Sequence, residues 1–162
     1  MTHDEICARL PHAGRTCLLE RLVRWDAESI ECAAVSHRDA DNPLRRGNRL
    51  HAVTGVEYAA QAMALHASLL GAPDSATATD GGGAGNAGAV FRRPAMGYLA
   101  SVRDLQLDID DLSRIPDELR IVARRLSGDA GGFIYEFTIH GGARRLLTGR
   151  LAARLVPAGE GA

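Results

Sequence analysis

The run from His51 to Leu70, HAVTGVEYAAQAMALHASLL, constrains the fold more than any other stretch. It reads as one helix that is apolar on nearly every side, and such a helix belongs in an interior. Its exception is informative. At 3.6 residues per turn, Glu57, Gln61 and Ser68 fall within about 40° of one another around the axis, with the small Ala64 between them. An interior carboxylate must find partners, stay protonated or face a wet cleft, because an unpaired buried charge costs several kcal/mol. Glu57 is therefore a functional candidate. The alternative is a structural acid bonded to a backbone donor or to an arginine across a subunit contact.

At 162 residues the chain fits a single domain, 1–162, with one core. A net charge of -1 gives no bulk reason to expect nucleic acid or an anionic membrane as partner. All 19 basic residues are arginine, a composition that says little about function. Cys7, Cys17 and Cys32 have neither CxxC nor metal-ligand spacing, so they are expected to be free thiols in a reducing compartment, with no metal. No segment has the length of a membrane span, and MTHDEICARL lacks the basic start and apolar run of a signal peptide. A cytoplasmic location is expected.

Along the chain, Thr2 to Leu10 predicts a short helix with Thr2 as N-cap and Glu5 three residues on, stopped by Pro11. Cys17–Trp25 and Ser29–Ser36 predict two antiparallel strands around a turn at Asp26–Glu28. His37–Leu50 has no apolar periodicity and predicts a long loop into the central helix, itself expected over about Val53–Leu70. The Gly-rich segment 74–89 has nothing large to bury and is expected to be mobile. It lacks a Walker pattern. Alternation around Leu105, Leu107 and Ile109 predicts a third strand, and Leu119, Ile121 and Ala123 a fourth. Phe133 to Ile139 follows a turn at Ser127–Asp129, and Leu147 to Leu155 follows a hairpin at His140–Gly142, so the last four strands should form a meander. The tail from Pro157 should fray. An α+β fold follows, an antiparallel sheet of about six strands curled around one helix. So thin a shell invites a second copy to complete the core, so a dimer is expected.

That element order, with LPHAGRTCLLERLVRWD at the front and GVEYAAQA on the helix, resembles the hotdog-fold 3-hydroxyacyl-acyl carrier protein dehydratases. It is most similar to a small branch associated with aryl-polyene and related bacterial pigment pathways. Asn42-Pro43-Leu44 and the stretch Gly97–Asp104 share the likeness, which spans roughly Leu10 to Val156. The resemblance implies that Glu57 is the active-site carboxylate and Gln61 its accompanying amide. A histidine from the preceding loop of the other subunit completes the family's site. The family's His-Phe-Pro loop does not carry over, because one register puts Pro43 and another Asn48 at the histidine position. His37, preferred narrowly, and His51 remain as candidates. His66 lies about 180° around the helix from Glu57 and should bond elsewhere, and His12 fits a structural role in the front loop.

Dehydration of a 3-hydroxyacyl thioester needs a base for the α-proton and an acid for the departing hydroxyl, so an imidazole and a carboxylic acid suffice without cofactor. Burial would help a helix carboxyl remain protonated as the acid. Backbone N–H groups at Gly55 and Val56 are placed to hold the thioester carbonyl. With water as nucleophile the same geometry would give a thioesterase. A third possibility is a non-catalytic subunit that binds acyl chains or supports another hotdog subunit. An acyl carrier protein is the implied partner, alongside a homodimer or heterodimer of hotdog subunits; arginine pairs such as Arg45-Arg46 could meet its acidic surface, the alternative being plain solvated surface.

Overall fold

The computed structural model describes residues 1–10, 16–71, 96–129 and 131–156. The segment 74–89, the tail from Pro157 and His12 lie outside them. A short helix α1 (His3–Cys7) is followed by strands β1 (Arg21–Trp25) and β2 (Ser29–Ala34), then the long helix α2 (Gly55–Leu70). Four further strands follow: β3 (Met96–Leu107), β4 (Leu119–Asp129), β5 (Gly132–Gly141) and β6 (Arg144–Val156). All six form one antiparallel sheet in the order β1-β2-β4-β5-β6-β3. This is the hotdog arrangement, a sheet curled around one helix.

The helix starts where expected because a 3-10 turn at Ala52–Thr54 feeds it, and Thr54 N–H donates to His51 O at 2.9 Å. Tyr58, Ala59, Ala62 and Leu65 are fully buried and pack with Ile121, Ile139 and Leu147 of the sheet. The approach is close at Gly55, where a Cβ would sit 2.7 Å from Leu147 Cδ1. Only glycine lets the first turn of α2 lie against β6 without displacing that leucine. The opposite stripe of the helix, Val56, Glu57, Ala60 and Ala64, is only half-buried. One chain therefore does not enclose the helix fully.

Three sequence expectations change. The last four strands are not a simple meander: β4, β5 and β6 are, but β3 crosses to pair with β6 instead of β4. Residues 108–118, with a 3-10 turn at Leu112–Arg114, supply the crossover. This lets the two longest strands lie together, and leaves β2 free to take β4. Second, Ser127–Asp129 continues β4, and the chain turns after it, with Gly131 N–H donating to Asp129 Oδ1 at 2.7 Å. Third, the cysteines are not all free. Cys7 and Cys17 form a disulfide tying α1 to the segment before β1, while Cys32 is free and buried, its thiol pushed up to about 12 by burial. Local spacing missed the pair because ten residues separate the two cysteines and only the folded front end brings them together. The capping box at Thr2 and Glu5 forms as predicted. No helix among the described residues is long and apolar enough to cross a membrane.

Candidate active site

Gln61 organises the site. It is fully buried and its amide is spent on three partners: Oε1 accepts from Leu18 N–H at 2.8 Å, while Nε2 donates to Thr16 O at 2.7 Å and to Glu57 Oε1 at 3.0 Å. The amide thus sews the extended segment 16–19 to the helix and holds the carboxylate one turn away. The i, i+4 spacing places Glu57 and Gln61 on one face of the helix, the geometry that lets them pair. What the sequence did not show was its second use, as an anchor for segment 16–19. Glu57 is half-buried and borders a cleft of about 230 Å³ lined also by Thr16, Leu18, Pro43 and Leu44. A carboxyl at the edge of a mostly apolar slot can meet an acyl substrate and still exchange protons with solvent.

The far wall of that cleft is held by a network that the sequence reading did not single out. Tyr58 lies buried beneath it; its hydroxyl is 3.0 Å from Ser36 Oγ and accepts from Asn42 Nδ2 at 3.1 Å. Ser36 Oγ donates to Leu18 O at 2.8 Å, and Asn42 Nδ2 also donates to Ser36 O at 2.8 Å. Leu44 N–H donates to Asn42 Oδ1 at 2.9 Å, so Asn42 braces the turn that places Pro43 and Leu44. Burial raises the Tyr58 pKa, so its hydroxyl stays protonated and able to bridge. The signal was present in Asn42-Pro43 and in Tyr58 next to Glu57, but it takes a fold to join residues 16 apart.

The histidines separate clearly. His37 has no exposed surface; its Nε2–H donates to Ile115 O at 3.1 Å and its Nδ1 is a buried atom without a hydrogen-bond partner among the described residues. Burial lowers its pKa, favouring the neutral ring. His66 bonds Tyr135 Oη and Asp26 O, both at 2.7 Å, on the far side of α2 as its helical angle predicted. His51 is exposed and stands immediately before the 3-10 turn that enters α2. Its backbone is pinned from across the crossover: residue 51 forms a bridge with Asp111, Ala52 N–H donates to Asp110 O at 2.9 Å and Leu112 N–H to Leu50 O at 2.8 Å.

Asp111 is a further residue that sequence reasoning passed over. Burial pushes its pKa up, but it is outweighed by bonds from Ser113 Oγ, Leu50 N–H and Ser113 N–H, which hold the carboxyl below its usual range. Arg49 and Arg114 stand 3.5 Å away. Asp111 therefore holds the His51 segment against the crossover as an ion. Of the remaining predicted residues, Val56 is half-buried at the helix start, and Asn48 is exposed in the loop, where its carbonyl accepts from Arg45 at 3.3 Å. Gly55 is buried, and its N–H is already directed to Ala52 O and Val53 O.

Comparison with known proteins agrees with this fold. The chain resembles a protein of the dehydratase heterocomplex ApeI:P from Xenorhabdus doucetiae at 20% identity and a TM-score of 0.74, covering 98% of this chain and 93% of that one. A mutant thioesterase from Pseudomonas aeruginosa is similar at 14% identity and a TM-score of 0.61, over 96% and 94% of the two chains. A thioesterase from Haemophilus influenzae is similar at 11% identity and a TM-score of 0.61, over 96% and 91%. No curated protein sequence matches. At these identities the structural likenesses speak for the hotdog fold alone. The family model for ApeP-like proteins, described as ApeP dehydratase, matches residues 5–157, nearly the whole chain, and the chain belongs to that family.

Proposed function

We propose that this chain dehydrates a 3-hydroxyacyl thioester, carried on an acyl carrier protein, to the 2-enoyl thioester, with Glu57 as the acid. The observation that carries the reading is Glu57 itself, oriented by Gln61 at the edge of an apolar cleft. In the reaction an imidazole takes the α-proton, the electron pair forms the Cα–Cβ double bond, and the C3–O bond breaks as Glu57 protonates the departing hydroxyl to water. The proton on the imidazolium then returns to the carboxylate through solvent. Exclusion of bulk water from the cleft favours both transfers.

Exposure favours His51 over His37 as that imidazole. A side chain with no accessible surface in its own chain cannot touch a substrate or a partner, so His37 is a buried packing residue in this reading. His51 lies before the helix on the open side of the chain, and the proposal is that it serves the Glu57 of a second hotdog subunit. Two features support such a subunit. The half-buried stripe of α2 is left for another surface, and β3 is an edge strand carrying exposed Tyr98, Leu99 and Val102. Because the Gly55 N–H is engaged, Val56 N–H at the helix start is the group proposed to hold the thioester carbonyl.

The test is conversion of a 3-hydroxyacyl-carrier protein panel to 2-enoyl products by the chain alone and mixed with hotdog subunits of the same cells. Glu57→Gln keeps shape and hydrogen bonding but has no proton to give, so kcat should fall about 10²- to 10⁴-fold with the fold unchanged. Release of free carrier thiol by the wild type would replace the dehydratase reading with a thioesterase. Activity in a mixture that survives Glu57→Gln would make this chain a non-catalytic partner.

A further inference from the structure

We propose that the reduced protein holds a thiophilic divalent cation, Zn²⁺ in class, between His3, Cys7 and Cys17. Their ligand atoms, one imidazole nitrogen and two sulfurs, all lie within 4.8 Å of one another. His3 and Cys7 are i and i+4 on α1, so both face the same way off one turn. Cys17 comes to them from the extended segment before β1, and its Cα lies 5.7 Å from that of Cys7. Among the described residues this is the one such cluster, and the dehydration chemistry does not use it.

The imidazole is already set for a metal. Its Nδ1–H donates to Leu19 O at 2.7 Å, which leaves the Nε2 lone pair pointing at Cys7 Sγ, 3.4 Å away. Two ligands of one tetrahedral zinc, at the usual Zn–N and Zn–S lengths, stand about 3.5 Å apart for N and S and about 3.8 Å for two sulfurs. The nitrogen and Cys7 sulfur are thus at ligand spacing. The two sulfurs are bonded to each other in the structure, so a cation enters only after a dithiol or phosphine has reduced them. Each thiol then loses a proton on binding, two per cation, and the neutral imidazole loses none. His3 and Cys17 also line a cleft of about 450 Å³ together with Glu20 and Asp39, from which water or a carboxylate would supply the fourth ligand. Oxidation and metal binding are alternative ways to tie α1 to segment 16–19.

The experiment uses the full chain reduced with a phosphine under anaerobic conditions and titrated with Co²⁺, then Zn²⁺. One equivalent of cobalt should give thiolate-to-metal charge transfer in the near ultraviolet and the intense visible bands of a tetrahedral ion, both bleached by one equivalent of zinc. The disulfide form should give neither. Cys17→Ser should weaken the charge transfer and lower zinc affinity, and His3→Ala should lower it about 10-fold or more. Cys32→Ser should bind as wild type. Should Cys17→Ser fail to fold by circular dichroism, His3→Ala, at the half-exposed end of α1, carries the test. A reduced wild type without the cobalt spectrum overturns the proposal, as does a spectrum unchanged in Cys7→Ser/Cys17→Ser or an affinity unchanged in His3→Ala.

Discussion

Replacing Gln61 with glutamate isolates the interaction on which the site depends. The substitution keeps the side-chain shape and the acceptor for Leu18 N–H, but it exchanges the donor Nε2 for an oxygen. That oxygen would face Thr16 O at 2.7 Å and Glu57 Oε1 at 3.0 Å. Two unit charges at 3.0 Å and an effective dielectric near 20 repel by about 5–6 kcal/mol, and the half-exposed position of Glu57 reduces this through solvent screening. Protonation sets the ceiling: keeping one glutamate of ordinary pKa neutral at pH 7 costs about 3.7 kcal/mol. Q61E should therefore destabilise the fold by about 3 kcal/mol at pH 7, most of a typical domain's margin. The carboxyl pair shares a raised apparent pKa, so the folded mutant binds a proton that its unfolded chain releases. Its stability is then fullest below the unfolded glutamate pKa and is lost as pH rises, by about 1.4 kcal/mol per unit at most. Urea unfolding of wild type and Q61E at pH 5, 6, 7 and 8 measures this, and taking the difference cancels groups common to both proteins. A difference that is small, or the same at pH 5 and pH 8, would show that the Gln61 amide does not face Glu57 and Thr16.

Other outcomes follow from the same structure. Asp111→Ala should cost about 2–4 kcal/mol in urea unfolding, because it leaves the buried Leu50 N–H unpaired and frees Arg49 and Arg114, and it should raise KM or lower kcat through the displaced His51 segment. Burial depresses the folded pKa values of His37 and His140, so the unfolded chain binds more protons; stability is complete above about pH 6.5 and declines as pH falls below it. His37→Gln, which can still donate to Ile115 O, should flatten that decline, and a wild-type midpoint that rises on acidification would contradict the buried neutral rings. His51→Ala should remove dehydration while His37→Gln retains it in a folded protein; steady-state rates in the reverse order would return the base to His37.

The helix and five of the strand positions were legible because each signal is local. Sixteen residues of apolar sequence with one polar stripe specify α2, and alternation specifies β4 to β6. The place of β3 was not local. Alternation says that Leu105 and Leu107 belong to a half-buried strand, yet it carries no information on which neighbour supplies the hydrogen bonds, and the choice of β6 over β4 is made by sheet closure. The Cys7–Cys17 pair escaped for a related reason. Each cysteine looks isolated in sequence until α1 folds back on the segment before β1, and the imidazole of His3 joins them only through the helical i, i+4 relation.

The site divides the same way, and the division has a physical origin. Glu57 and Gln61 share one helix face, so their pairing follows from helical geometry alone. The histidine cannot be found so, because loop residues are positioned by tertiary bonds: His37 by Ile115 from the crossover, His51 by its bridge to Asp111. The narrow sequence preference for His37 rested on the look of the stretch around it, and burial is the quantity that such a likeness cannot report. Burial is what separates the two candidates: in one chain His51 is exposed while His37 is not, and His51 is proposed as the base on that ground. The same argument explains why the open stripe of α2 matters. On the proposed reading, the cleft that Glu57 shares with Thr16, Leu18, Pro43 and Leu44 would become a closed reaction chamber when a second hotdog subunit covers that stripe. Assembly and dehydration are then one property, and variants on the exposed face of β3 should lose both in proportion.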